Sequence, residues 1–191
     1  MTPDQSLPSW SRRLLAELTA SDQRAIAVAR PLTVDQLNWR PRPDSWSVGQ
    51  CLEHLAVSNE VYCKAIAPAV PGCAQAMVDE ITPGWFGRWF IRNVIEPSPK
   101  TLKNQKAPAK IVPVATVDAT ILDQFLRSNQ QTRELIARAQ SFDVNRVRFK
   151  NPFVAWIRFT VGTGLEILAR HEDRHLLQAE RIRAHPGFPA R

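Results

Sequence analysis

Residues 161–182 read VGTGLEILARHEDRHLLQAERI. Val161, Gly164, Leu168, His171, His175, Gln178 and Ile182 recur at spacings of three and four, so they share one face of a helix expected from about Phe159 to Ala184 and ended by Pro186-Gly187. His171 and His175 stand one turn apart on that face, ~6 Å along the axis and ~40° round it, near enough for both imidazoles to chelate one ion. Two neutral imidazoles on a buried stripe are costly unless something satisfies them, and the stripe carries no carboxylate. The segment thus predicts a long inward-facing helix and a ligand held by it.

Working outward, Ser47 and Gln50 form a capping box that opens a second helix, with Trp46 expected to pack on Cys51 as a hydrophobic staple. Val48, Leu52, Leu55, Asn59, Tyr62 and Ile66 then make one stripe, and Cys51, His54, Ser58, Val61 and Ala65 the adjoining one, which turns His54 inward. Upstream, Leu14, Leu18, Ser21, Ala25 and Val28 mark a first helix from about Trp10 to Arg30, stopped by Pro31. A connector, Pro31 to Ser45, follows, with one short turn capped by Thr33.

Downstream, Val117, Ile121, Phe125, Asn129, Thr132, Leu135 or Ile136, and Ala139 share a face of a helix expected over Val117 to Ser141, with Thr116 as its cap. Residues 68–115 are less orderly: a proline-broken start, an aromatic stretch from Trp85 to Ile91, and a proline-bearing run with Lys100, Lys103, Lys106 and Lys110. The aromatic stretch reads as a lid, a surface-binding helix, or a short helix packed on its neighbours. The expected fold is all-α: a four-helix bundle spanning 1–191 as one domain, with a long, partly irregular insertion between the second and third main helices.

Composition agrees. Hydrophobic residues make up 44% of the 191, enough for a full core, while 7 glycines and one tyrosine argue against a sheet-rich fold. No stretch has 18 consecutive apolar residues and no export leader is recognisable, so the chain reads as cytoplasmic, without a membrane span. Cys51, Cys63 and Cys73 lack paired C-x-x-C spacing and read as free thiols. The net charge of +7 suits an anionic partner, but the arginines are spread over every helix and no nucleic-acid-binding signature occurs, which disfavours nucleic acid.

Three of the four histidines fall on helix faces that turn inward. His54 with His171 and His175 makes a three-histidine set with an open coordination position, the arrangement of catalytic rather than closed structural sites. The same segment matches H-E-x-x-H, the metalloprotease signature. Its extension disagrees: Gln178 and Arg181 stand where glycine and histidine are required, and only 16 residues follow His175. Glu172, ~100° round the helix from His171 and beside Asp173 and Arg174, is expected on a solvated charged face.

Trp39-Arg40-Pro41, then Trp46-Ser47-Val48-Gly49-Gln50-Cys51-Leu52-Glu53-His54-Leu55, and finally His171-Glu172-Asp173-Arg174-His175-Leu176-Leu177-Gln178 resemble the DinB-like superfamily. That resemblance covers nearly the whole chain. It implies a metal-binding four-helix bundle with ligands at His54, His171 and His175, and a divalent cofactor that is zinc, nickel or iron. It also implies kinship with S-transferases and isomerases that use low-molecular-weight thiols. The partners expected are a small-molecule thiol and an electrophilic substrate, with a homodimer as the assembly.

Around the ligands, Gln178 is one turn beyond His175, placed to hold a metal-bound water or orient a ligand, or to serve as a packing amide. Cys51, one turn before His54, is a nominal fourth ligand, although three histidines suffice. Arg170 and Arg174 flank the site; each either attracts an anionic thiol or is solvated. A thiol is acidified by direct coordination, whereas hydrolysis commonly also needs a carboxylate, and the inward stripes of the second and fourth main helices offer Ser58, Asn59 and Gln178 but no Asp or Glu. A thiol-dependent S-transferase type of enzyme therefore leads, ahead of a metal-dependent hydrolase and a non-catalytic metal- or ligand-binding bundle protein.

Overall fold

A computed structural model describes residues 7–97 and 107–190. In chain order the elements are α1 (Ser9–Ala29), the short α2 (Val34–Asn38), α3 (Val48–Ile66), α4 (Trp85–Phe90), α5 (Ile121–Ala139), the strands β1 (Arg148–Lys150) and β2 (Arg158–Thr160), and α6 (Val161–Arg183). Two of the three expected caps, Ser47 and Thr33, are in place. Ser47 Oγ accepts from Gln50 N at 3.1 Å while Gln50 Oε1 accepts from Ser47 N at 3.1 Å, and Thr33 with Gln36 repeats the device at α2. The four long helices form a bundle in which α3 packs chiefly on α5 and α6, and α1 packs on the opposite side of the same two.

The core has two apolar clusters with a polar layer between them. One contains Trp10, Leu14, Leu18, Tyr62, Ile66, Leu135 and Leu165; the other contains Ala25, Val28, Leu52, Leu55, Phe125 and Leu176. Between them each long helix contributes a buried polar residue: Ser21, Asn59, Asn129 and Glu172. Asn59 Nδ2 donates to Glu172 Oε1 at 3.0 Å and to Asn129 Oδ1 at 2.9 Å, and Asn129 Nδ2 reaches Glu172 Oε2 at 3.3 Å. The expectation that Glu172 is solvated is therefore wrong: it is fully buried. The reason is that α6 carries a second inward face, with Glu172, Leu176 and Ala179 turned towards the core and His171 and His175 turned elsewhere.

Two boundaries differ from those read in the sequence. The third main helix starts at Ile121 after Thr120, not at Val117 after Thr116. Asn38 holds Val117 by both backbone groups, accepting from its N–H and donating to its C=O, each at 2.8 Å, which removes those groups from a helical ladder. The last helix starts at Val161, capped by Thr160, because Phe159 belongs to a hairpin that the sequence reading did not include. Phe149 and Phe159 pair across that hairpin and both point into the core.

The aromatic stretch forms α4 and continues as one wide π turn, Ile91–Ile95. Gly87, Ile91 and Ile95 are buried, whereas Trp85 and Trp89 are exposed. Lys100, Lys103 and Lys106 lie outside the described residues; Lys110 sits exposed in a 3₁₀ turn, Ala109–Ile111. Among the described residues no helix is long and apolar enough to cross a membrane.

Candidate metal centre

Three helix positions bring three imidazoles to one point. One ligand atom from each of His54, His171 and His175 can be chosen so that all lie within 4.8 Å of one another. His54 Nε2 and His171 Nε2 are 3.2 Å apart. Two nitrogens that share one ion at ~2.1 Å stand about 3–3.5 Å from each other, so this spacing fits cis ligands.

Each outer ring has its tautomer set by its surroundings. His54 Nδ1 lies 2.7 Å from the Ile111 carbonyl oxygen, so it carries the proton and leaves the Nε2 lone pair inward. His175 Nδ1 is 3.0 Å from Gln178 Oε1, with the same consequence if the amide oxygen accepts. Burial depresses the affinity of all three rings for protons. For His54 it brings the pKa down to about 4, against the pull of the Ile111 carbonyl and with help from the Arg174 charge. His171 and His175 fall well below the ordinary histidine value, first from burial and then from the neighbouring imidazoles and Arg174. Neutral rings with converging lone pairs are what a divalent ion requires.

Trp46 lies over the cluster. Its ring is 4.8 Å from His54 and stacked at 5.4 Å on His175, so the residue read as a staple for Cys51 screens the imidazoles. Cys51 is buried in the second apolar cluster, and burial pushes its thiol far up, so it stays protonated there. His185 is remote from the cluster, packed on Trp39 at 5.5 Å and accepting from Gly187 N.

The cluster opens on a cavity of about 240 Å³. Its walls are largely apolar, with Phe90, Val94 and Ile95 from one side and Phe153, Val154 and Ile167 from the other. Polar contributions come from Tyr62, Asn151 and Arg174, and no Asp or Glu is among the lining residues described. Asn151 Nδ2 donates to Tyr62 Oη at 2.9 Å, so two of these groups fix each other. Of the two arginines expected to flank the site, Arg174 is buried rather than solvated and donates to the Val94 carbonyl at 2.8 Å, while Arg170 turns outward to Glu17 and Glu96.

The structure brings His54, His171 and His175 together and places Gln178 beside His175. Sequence reasoning missed the Ile111 carbonyl, the Trp46 roof and the inward course of Arg174. A backbone acceptor has no residue signature, but Arg174 lies seven residues after Ile167 and three after His171, on the cavity side of the same helix.

Comparison with known proteins follows the same lines. YfiT from Bacillus subtilis, described as "a probable metal-dependent hydrolase with an unusual four-helix bundle topology", superposes with a TM-score of 0.60 at 14% sequence identity, over 99% of this chain and 95% of that one. No functionally curated protein matches the sequence. Residues 17–179 match the DinB superfamily, nearly the whole of the bundle, and the chain belongs to that superfamily.

Proposed function

We propose that this protein is a metal-dependent enzyme of the thiol S-transferase type, with His54, His171 and His175 as the ligands of one divalent ion. The observation that carries the reading is the convergence of three neutral imidazoles on a cavity whose described lining has no carboxylate. A dication held by three neutral rings keeps its full charge, and so lowers the pKa of a thiol or water brought to it.

The chain's own residues divide the remaining work. Ile111 and Gln178 orient His54 and His175 through their Nδ1 atoms. Gln178 is not among the cavity-lining residues, so it acts as a positioning residue rather than a catalytic one. Trp46 and the walls at Phe90 and Phe153 exclude water and receive the apolar part of a ligand. In the transfer, sulfur forms the new bond to the electrophilic carbon, the leaving group departs with its electron pair, and the thiol proton passes to solvent. Glu172 takes no part, since both its carboxylate oxygens face Asn59 and Asn129 in the core.

The second reading is a metal-dependent hydrolase, favoured by the description of the structural neighbour YfiT. Metal-loaded and metal-stripped protein, assayed with small thiols and 1-chloro-2,4-dinitrobenzene, separate the two. The expected result is thiol consumption only when metal is bound, abolished by His171→Ala with the helical circular dichroism retained. Metal-dependent cleavage of an ester or amide without any thiol would put the hydrolase first.

A further inference from the structure

Tyr62, the one tyrosine in the chain, stands in the cavity wall with a proton still to donate. Its ring packs edge-to-face on Phe149 and Phe153, with centroids at 6.2 and 5.4 Å, and the residue is only 4% exposed, so the hydroxyl oxygen has a fixed place. Asn151 decides which way the hydrogen bond at that oxygen runs. Its Oδ1 accepts from Phe153 N at 2.8 Å and from Val154 N at 2.9 Å, which fixes the amide and turns Nδ2 to Tyr62 Oη at 2.9 Å. An amide nitrogen only donates, so Tyr62 accepts, and its own O–H points away from Asn151. Among the described residues Tyr62 has no second hydrogen-bond partner. A buried donor left without an acceptor is costly, and the space that Tyr62 and Asn151 both line is the cavity.

Tyr62 and His54 lie on the same helix, α3, and their spacing in sequence sets them about 12 Å apart along its axis. One neutral O–H offsets the desolvation of a carbonyl oxygen but not that of a full charge. We propose that Tyr62 donates to a carbonyl oxygen of the ligand, so that the cavity takes molecules with a donor atom for the ion at one end, an apolar body, and a carbonyl at the other. Asn151 is the positioning residue that keeps the Tyr62 proton free for that oxygen. The proposal rests on the metal reading above for the first end and adds the substrate class.

The test uses the full chain loaded with cobalt(II), whose visible absorption reports both ion binding and thiol coordination. Mercaptoalkyl methyl ketones of increasing chain length are titrated beside alkyl thiols of the same length. At one length the affinity of the ketone relative to the alkyl thiol is expected to drop about three- to tenfold in Tyr62→Phe, the worth of one neutral hydrogen bond. Asn151→Asp keeps the acceptor for Phe153 and Val154 and also accepts from Tyr62, so it should produce the same drop with the tyrosine still in place. Because Tyr62 is the one tyrosine, isotope-labelled tyrosine gives a single Cζ resonance. In the zinc-loaded chain that resonance is expected to shift with the ketone and not with the alkyl thiol.

A ratio unmoved by Tyr62→Phe at every chain length, with the helical circular dichroism retained, would overturn the subsite. So would equal weakening of both probes, which would leave Tyr62 to packing alone, or a Cζ resonance that answers both probes alike. Should Tyr62→Phe fail to fold, Asn151→Asp and the Cζ resonance decide the matter. A ratio lost in Tyr62→Phe but kept in Asn151→Asp would overturn the part given to Asn151. Absence of a cobalt spectrum in the parent protein would instead remove the metal reading, and the Cζ resonance of the metal-free chain, titrated with thiol-free methyl ketones, would then decide the subsite by itself.

Discussion

The tautomer of an imidazole is decided by whatever its second nitrogen touches, and here the two partners differ in how they can be probed. Gln178 Oε1 holds His175 Nδ1 at 3.0 Å, so Gln178→Ala frees the ring to rotate and to adopt the wrong tautomer. Metal affinity, measured by competition with a chromogenic chelator, is expected to fall about 10–100-fold, with Gln178→Glu retaining or raising it. The Ile111 carbonyl, which holds His54, cannot be removed by substitution. His185→Ala should leave the affinity as it is, because His185 packs on Trp39 and caps a turn at Gly187. Loss of the ion in that variant would mean that the ligand set is drawn wrongly.

Helix α3 shows how one element is both zipped to its neighbours and made to carry a ligand. Gln50 Nε2 donates to the Val114 carbonyl and His54 meets Ile111, so the chain before α5 lies along α3. The approach is closest at Gly49, where an added Cβ would stand 2.3 Å from Val117 Cγ2 and 3.0 Å from the Leu37 carbonyl oxygen. Gly49→Ala is therefore expected to destabilise by about 1–3 kcal/mol in urea unfolding, despite alanine's better helix propensity. In a Val117→Ala background the loss should shrink, since the nearer clash is with that side chain; an unchanged loss would place the strain at Leu37. These elements also show what was legible in the sequence. The Ser47 capping box and the 171/175 spacing are written in local residue order, and they appear where they were read. The hairpin at 148–160 is three residues a side and depends on Phe149 and Phe159 finding the core. The start of α5 depends on Asn38 holding Val117, 79 positions away from it. Glu172 looked solvated because one helical face was assumed to be buried, whereas α6 is covered on two.

The whole molecule places two kinds of misfit ionisable group in one fold, and they oppose each other in pH. The three histidines have depressed folded pKa values, so unfolded chains take up protons below the ordinary value of 6.5 while the folded protein does not. Their contribution is present above pH 6.5 and is lost as pH falls towards 4, the folded value of His54. Glu172 goes the other way. Burial raises it from 4.5 to about 7, against the hydrogen bonds from Asn59, Ser21 and Asn129, so its contribution is present below 4.5 and lost as pH rises through 7. Between pH 4.5 and 6.5 three imidazoles act against one carboxyl, and the stability of the metal-free protein should rise with pH. Glu172→Gln removes the opposing group, so the urea midpoint of that variant should climb more steeply over the same interval. Bound metal should steepen it further, because ion and protons compete for the same lone pairs. A metal-free midpoint that falls between pH 4.5 and 6.5 would mean that the core carboxyl outweighs the histidine cluster. The imidazoles would then be too well hydrated to stand as the neutral, ion-ready set on which the proposed function depends.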